Sequence, residues 1–214
     1  MILEIIGDLG YVLLFLNTII LSVGFPKNGK AYKIFTIYTV IMFLIQMSSF
    51  VLLKLQKNNL YMSHFYFILQ FIFLSFFYLQ LNFKNDQKKI IKAGFVFCFF
   101  TLGVQYALDC SLFWKFNLFE IFITSFLLIV YAVFHLYNLL NEKKEFYYIN
   151  VGILLYLFGS TILFLSGNLM VYLSPELNTV TWILNAFLYV IYQLFILFEL
   201  KKGLPKDNLI LRNE

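Results

Sequence analysis

The residues best placed to do chemistry lie in one apolar stretch, about Phe116 to Leu140. At about 100° per residue, Asn117, Glu120, Thr124, Tyr131, His135 and Asn138 fall within a helical sector of roughly 60°. Only Ser125 is otherwise strongly polar there. Polar groups in a membrane-length segment face a bundle interior or a wet cavity, and ionisable ones are functional candidates. Glu120 stands about one turn from one end of the run and His135 about one turn from the other. Two readings fit. One is a polar path from face to face. The other is a pair of interfacial groups that snorkel to water and give the helix an inside face.

The last apolar run, Thr179 to Leu200, carries a weaker row of Asn178, Thr181, Asn185, Tyr192 and Glu199. Asn185 is its deepest strongly polar group. An unpaired amide in hydrocarbon costs several kcal/mol, so the carboxamide needs a partner. A hydrogen bond between helices is its first role and ligand contact its second; Gln46, Gln70 and Asn17 read the same way. His64 opens the third run and Asp109 ends the fourth. With Glu120 and Asn178 they could ring an outward-facing pocket. The candidate ligand-binding set is therefore Glu120, Thr124, Tyr131, Gln70, Asn185 and His64.

Catalysis has little to rest on. The chain holds no H-E-x-x-H, G-x-S-x-G, Walker loop or C-x-x-C. Its two histidines fall at opposite membrane faces and cannot share a metal. Cys98 and Cys110, about 18 Å apart along one helix, are beyond disulfide reach and read as structural. The expectation is no catalytic residue, no metal and no cofactor, leaning against an enzyme. A lipid enzyme needs clustered groups near one interface, and only His64, Asp109 and Glu120 qualify.

The elements that position these residues are membrane helices. The chain has 214 residues, 62% hydrophobic and 13% charged, against about 45–50% and about 25% for soluble domains. Seven apolar runs emerge, at about 5–25, 34–53, 62–83, 91–108, 116–140, 148–173 and 179–200. Each approaches the roughly 17–25 residues that cross a bilayer core. The chain reads as a single integral-membrane domain over 1–214 with a tail at 201–214. The N-terminus starts with Glu4 and Asp8 instead of a basic region, so the first run reads as a retained helix and not a cleaved signal.

Of 16 Lys and Arg, 13 fall in four places: after the first, third, fifth and seventh runs. The net charge of +5 is thus a topology signal and not a sign of nucleic-acid binding. It predicts the N-terminus outside, the C-terminus in the cytoplasm and a location in the plasma membrane. The expected partners are the lipid bilayer and a membrane protein, with no nucleic acid. The three prolines, Pro26, Pro175 and Pro205, lie between or after the runs, which leaves no proline hinge.

Two halves can be laid over each other. Phe67-Ile68-Leu69-Gln70 echoes Trp182-Ile183-Leu184-Asn185, and Ser48-Ser49 echoes Ser160-Thr161. The fourth run then inverts the second half, giving a 3+1+3 parallel repeat with Gln70 and Asn185 as a central pair. Small residues Gly152, Gly159 and Ser166 mark a packing face on the sixth run, as do Gly10 and Gly24 on the first. This topology resembles the broad group of SWEET-type sugar transporters and opsin-like seven-helix proteins. The resemblance covers the whole chain and rests on topology. The Pro-Gln pairs of the former are missing, and the last run has no lysine for a retinal Schiff base. The expected protein is a non-catalytic, receptor-like or accessory membrane module. The alternative is a small-solute transporter with its site between the halves, sought among helices three, five and seven.

Overall fold

The computed structural model describes residues 2–82, 84–140, 145–173 and 175–203, and their side chains except at 2, 167–173 and 175–178. The described residues form helices without strands. They are α1 (Ile2–Gly24), α2 (Lys30–Lys54), α3 (Met62–Leu81), α4 (Asn85–Leu108), α5 (Leu118–Asn138), α6 (Tyr147–Leu173) and α7 (Pro175–Lys202). Short 3-10 turns lie at Phe25–Lys27 and Cys110–Trp114. All seven α-helices are long and apolar enough to cross a membrane.

Several helices outrun their apolar stretches. α4 starts at Asn85 instead of near 91 and α2 at Lys30 instead of near 34. Apolar length marks only what hydrocarbon requires, whereas Gln and Lys are good helix formers and let a helix continue into the polar layer. Asp86 in the first turn of α4 also complements the helix dipole. α7 begins at Pro175 instead of near 179, because proline at a first helical position loses no hydrogen bond. The tail predicted at 201–214 lies outside the described residues from 204 onward.

Six helices close a ring in the order α1, α2, α3, α5, α6, α7 and back to α1, and α4 packs outside on α3 and α5. α3 and α5 run parallel: His64 meets Glu120 and Asn82 meets Asn138, both at a separation of 56 residues. α1 and α7 are also parallel, joined by Asn17 Nδ2 donating to Gln193 Oε1 at 2.8 Å. α6 and α7 are antiparallel and approach closely at the expected small residues. A Cβ on Gly159 would come within 2.6 Å of Leu188 Cδ1, and one on Gly152 within 2.8 Å of Phe195 Cβ.

Aromatic bulk fills the interior. Phe35, Phe71, Phe77, Tyr78, Tyr131 and Tyr192 are fully buried. Large apolar side chains also cover the outside, with Phe97, Phe100 and Val104 exposed on α4 and Phe158 on α6. An apolar outer surface of this kind suits lipid and not water.

Candidate functional site

We call the end carrying the α2–α3 and α4–α5 connections the upper end. Here α5 starts with Asn117, whose side-chain oxygen accepts the Glu120 N–H at 3.3 Å and caps the helix. That cap fixes Glu120 in the first turn, facing α3. The register of the parallel pair brings His64 opposite: its Nδ1 lies 3.2 and 3.1 Å from the two Glu120 carboxylate oxygens. Tyr106 of α4 completes the group. Its hydroxyl donates to Glu120 Oε2 and sits 2.9 Å from His64 Nδ1. Asn117 Nδ2 donates to the same hydroxyl at 3.3 Å, and Gln105 and Asn117 exchange amide hydrogen bonds at 3.3 and 3.0 Å. Thr124 Oγ1 donates to the Glu120 backbone carbonyl at 2.7 Å.

Glu120 and His64 are buried, at 0% and 2% exposure. Neither snorkels to water. With Glu120 ionised, the groups beside Nδ1 are acceptors, so Nδ1 carries a hydrogen. His64 Nε2 has no hydrogen-bond partner among the described residues, and the ring stacks on Phe113 at 5.5 Å between centroids. The arrangement is a polar lock joining α3, α4 and α5.

Asp109 does not join it. Its side chain accepts the Ser111 N–H at 2.9 Å and caps the exposed 3-10 turn; these Ser111 contacts hold its carboxyl below the usual range. In place of the expected trio of His64, Asp109 and Glu120, the structure joins His64, Glu120 and Tyr106. Asn178 lies outside the described side chains.

The α5 stripe divides instead of forming one path. Tyr131 OH donates to the Ile91 carbonyl of α4 at 3.3 Å. It fits because α4 has Gly94 there, where a Cβ would meet the tyrosine hydroxyl at 2.3 Å. At the lower end Asn138 Nδ2 donates to Asn82 Oδ1 at 3.0 Å and to Gln87 Oε1 at 2.8 Å. His135 Nε2 lies 3.0 Å from the Glu145 carbonyl. Glu199 of α7 accepts the Tyr148 N–H at 2.6 Å, a carboxylate at the N-terminus of α6 where the dipole favours it.

Gln70 and Asn185 do not pair with each other. Gln70 Nε2 donates to Tyr38 OH at 3.1 Å, across the α2–α3 contact. Asn185 lines a cavity of about 530 Å³ at the upper end, bounded by α2, α3, α6, α7 and the start of α5. Its walls are Ile45, Phe67, Phe116, Leu163, Phe164 and Trp182, with Gln46, Ser49, Ser63, Tyr66 and Tyr156 among the polar members. Phe116, Phe164 and Trp182 pack edge to face at 5.5 to 6.4 Å between centroids. Tyr66 and Tyr156 bring their hydroxyls to 3.4 Å. Among the described residues no lining side chain is Asp, Glu, Lys, Arg or His. Asn185 Oδ1 is covered and has no hydrogen-bond partner among the described residues. The volume is in the range of sites that hold small organic molecules, roughly 300–1,000 Å³.

Of the six predicted site residues, the structure joins His64, Glu120 and Thr124 in the lock and places Asn185 alone in the cavity. Tyr131 and Gln70 are taken up by helix contacts. The cavity wall went unread because its members come from five helices and carry no motif. Tyr106 was missed among 15 tyrosines. Its neighbour Gln105, a strongly polar side chain near the end of an apolar run, was the available signal. Among the described residues no group of three or more His, Cys, Asp or Glu could hold a metal. No family model, curated protein or solved structure matches the chain.

Proposed function

We propose that the chain is a receptor-like or accessory module of the plasma membrane that holds an uncharged, lipid-like molecule in the upper cavity. The supporting observation is the composition of that cavity: about 530 Å³ of aromatic and aliphatic wall with scattered neutral polar groups and, among the described residues, no charged side chain. Such a wall favours an apolar body with a neutral head. Its described side chains offer no charge to balance an ionised group, whose desolvation would then stand uncompensated. The orientation that goes with this reading puts the upper end outside, from the lysine distribution. Ligand occupancy would be passed to a partner membrane protein through the helices that line the cavity.

Delipidated protein tests this directly. A ligand that binds the folded state raises apparent stability by mass action. Uncharged amphipaths should therefore raise the unfolding midpoint in a saturable way, and Ser63→Phe, which fills the cavity, should remove the effect. A midpoint that responds equally in both proteins would contradict the proposal.

A second reading has its own support. The ring order is unchanged when α1–α3 are exchanged with α5–α7, as a 3+1+3 parallel repeat requires. Parallel repeats are a transporter plan with the site at the repeat interface. On that reading the cavity is one stage of a solute path. Reconstituted vesicles should then show solute flux that Asn185→Leu alters. Absence of flux for a broad panel of neutral solutes would remove this reading.

A further inference from the structure

We infer that the cavity selects ligands whose head is a hydroxyl or a carboxamide, and that Asn185 is the residue that reads it. The inference rests on the cavity being the ligand site, as proposed above, and adds the chemistry of the head. Asn185 is on α7, between the wall residues Thr181, Trp182 and the deeper α6–α7 contact. Its Oδ1 is shut off from solvent yet has no hydrogen-bond partner among the described residues. The remaining wall at this level is aromatic, with Phe164 and Trp182 5.9 Å apart between centroids. A buried amide oxygen without a donor is a standing cost that a ligand N–H or O–H removes.

Carboxamide orientation is interchangeable by a half-turn, which would put the NH2 where the oxygen is. A hydroxyl answers either case, since it donates and accepts. So does a ligand carboxamide. An ether or ester head has no hydrogen to give and so answers only the turned amide, and a bare hydrocarbon answers neither. An ionised carboxylate meets no cation among the described residues of the wall. The class is therefore an uncharged alcohol or amide on an apolar body that fits about 530 Å³.

Trp182 is a built-in reporter, because it lines the cavity and the chain has only one other tryptophan, Trp114. It is also 43% exposed, so probe in the bulk bilayer adds a non-saturating background and the saturable part reads the cavity. In Trp114→Phe protein held in phosphatidylcholine nanodiscs, bromine-labelled probes quench Trp182 on contact. The probes are 10-bromo-1-decanol, 1-bromodecane and 10-bromodecanoate, each titrated by its mole fraction in the bilayer. One hydrogen bond of ordinary strength predicts half-saturation by the alcohol at about a tenfold lower mole fraction than the bromoalkane. The carboxylate should be weaker than the alcohol. Asn185→Leu should move the alcohol's curve onto that of the bromoalkane. Saturable quenching in which alcohol and bromoalkane coincide, or in which the carboxylate leads, overturns the role of Asn185 while leaving the cavity as the ligand site. Absence of saturable quenching by all three probes overturns the ligand site itself. The comparison among probes decides the matter in the Asn185 protein alone, so a poorly folding Asn185→Leu leaves it intact.

Discussion

Removing Glu120 should loosen α4 by an amount that depends on His64. In Glu120→Leu, the carboxylate contacts with His64 Nδ1 and Tyr106 OH are lost. The Tyr106–His64 contact at 2.9 Å survives, so neither partner is wholly abandoned. The cap and the Thr124 bond use the Glu120 backbone and also survive. Two hydrogen bonds are therefore at stake. Bonds to charged groups contribute about 1.5–3 kcal/mol each in soluble proteins, whereas side-chain bonds between membrane helices average about 0.6 kcal/mol and reach about 1.7. The expected loss is about 1–3 kcal/mol. In the double variant His64→Leu with Glu120→Leu, no ionisable member is left without its partner, and Tyr106 OH retains Asn117 Nδ2 at 3.3 Å. The double variant should then cost less than the sum of the singles by about 1 kcal/mol or more. Unfolding from mixed micelles, followed by fluorescence of Trp114, measures it, because Trp114 packs on Tyr61 at 5.9 Å beside the lock. Hydrogen exchange of the upper half of α4 should rise in the singles first. Independent sites add to within about 0.3–0.5 kcal/mol, so additivity at that level would refute the coupled lock.

Two further outcomes follow from the same geometry. Gly94→Leu should separate α4 from α5, since even a Cβ there would meet Tyr131 OH at 2.3 Å; cross-linking between cysteines placed at 94-flanking and 127-flanking positions should fall sharply, and unchanged cross-linking would show that α4 docks elsewhere. Cys110 is exposed and Cys98 buried, so a membrane-impermeant maleimide should label intact cells at Cys110 alone; labelling only after lysis would reverse the proposed orientation.

The sequence made the helices legible because hydrocarbon thickness imposes a minimum apolar length, and lysines gather where lipid ends. It also marked individual polar residues. Glu120 and His64 stood out because ionisable groups are rare in such segments. What periodicity cannot carry is the identity of the neighbouring helix. Gln70 reads as facing inward, and it does, but the facing helix is α2 and the partner is Tyr38. Glu120 and His64 could be placed near one face, yet their contact depends on the parallel register of α3 and α5. Tyr106 depends on α4 lying outside the ring against both. The cavity was least legible, since its wall is made of residue types that also cover the outer surface.

A ligand site requires that the upper cavity hold a molecule that the outer surface does not. A benzophenone amino acid placed at Leu163, which lines the cavity, can be compared with one at Ile162, which is 48% exposed on the adjacent face of α6. After irradiation in native membranes, mass spectrometry of the adducts should find an uncharged amphipath enriched at 163, and bulk membrane lipid at 162. The same adducts in the same proportions at both positions would contradict a ligand site in the cavity.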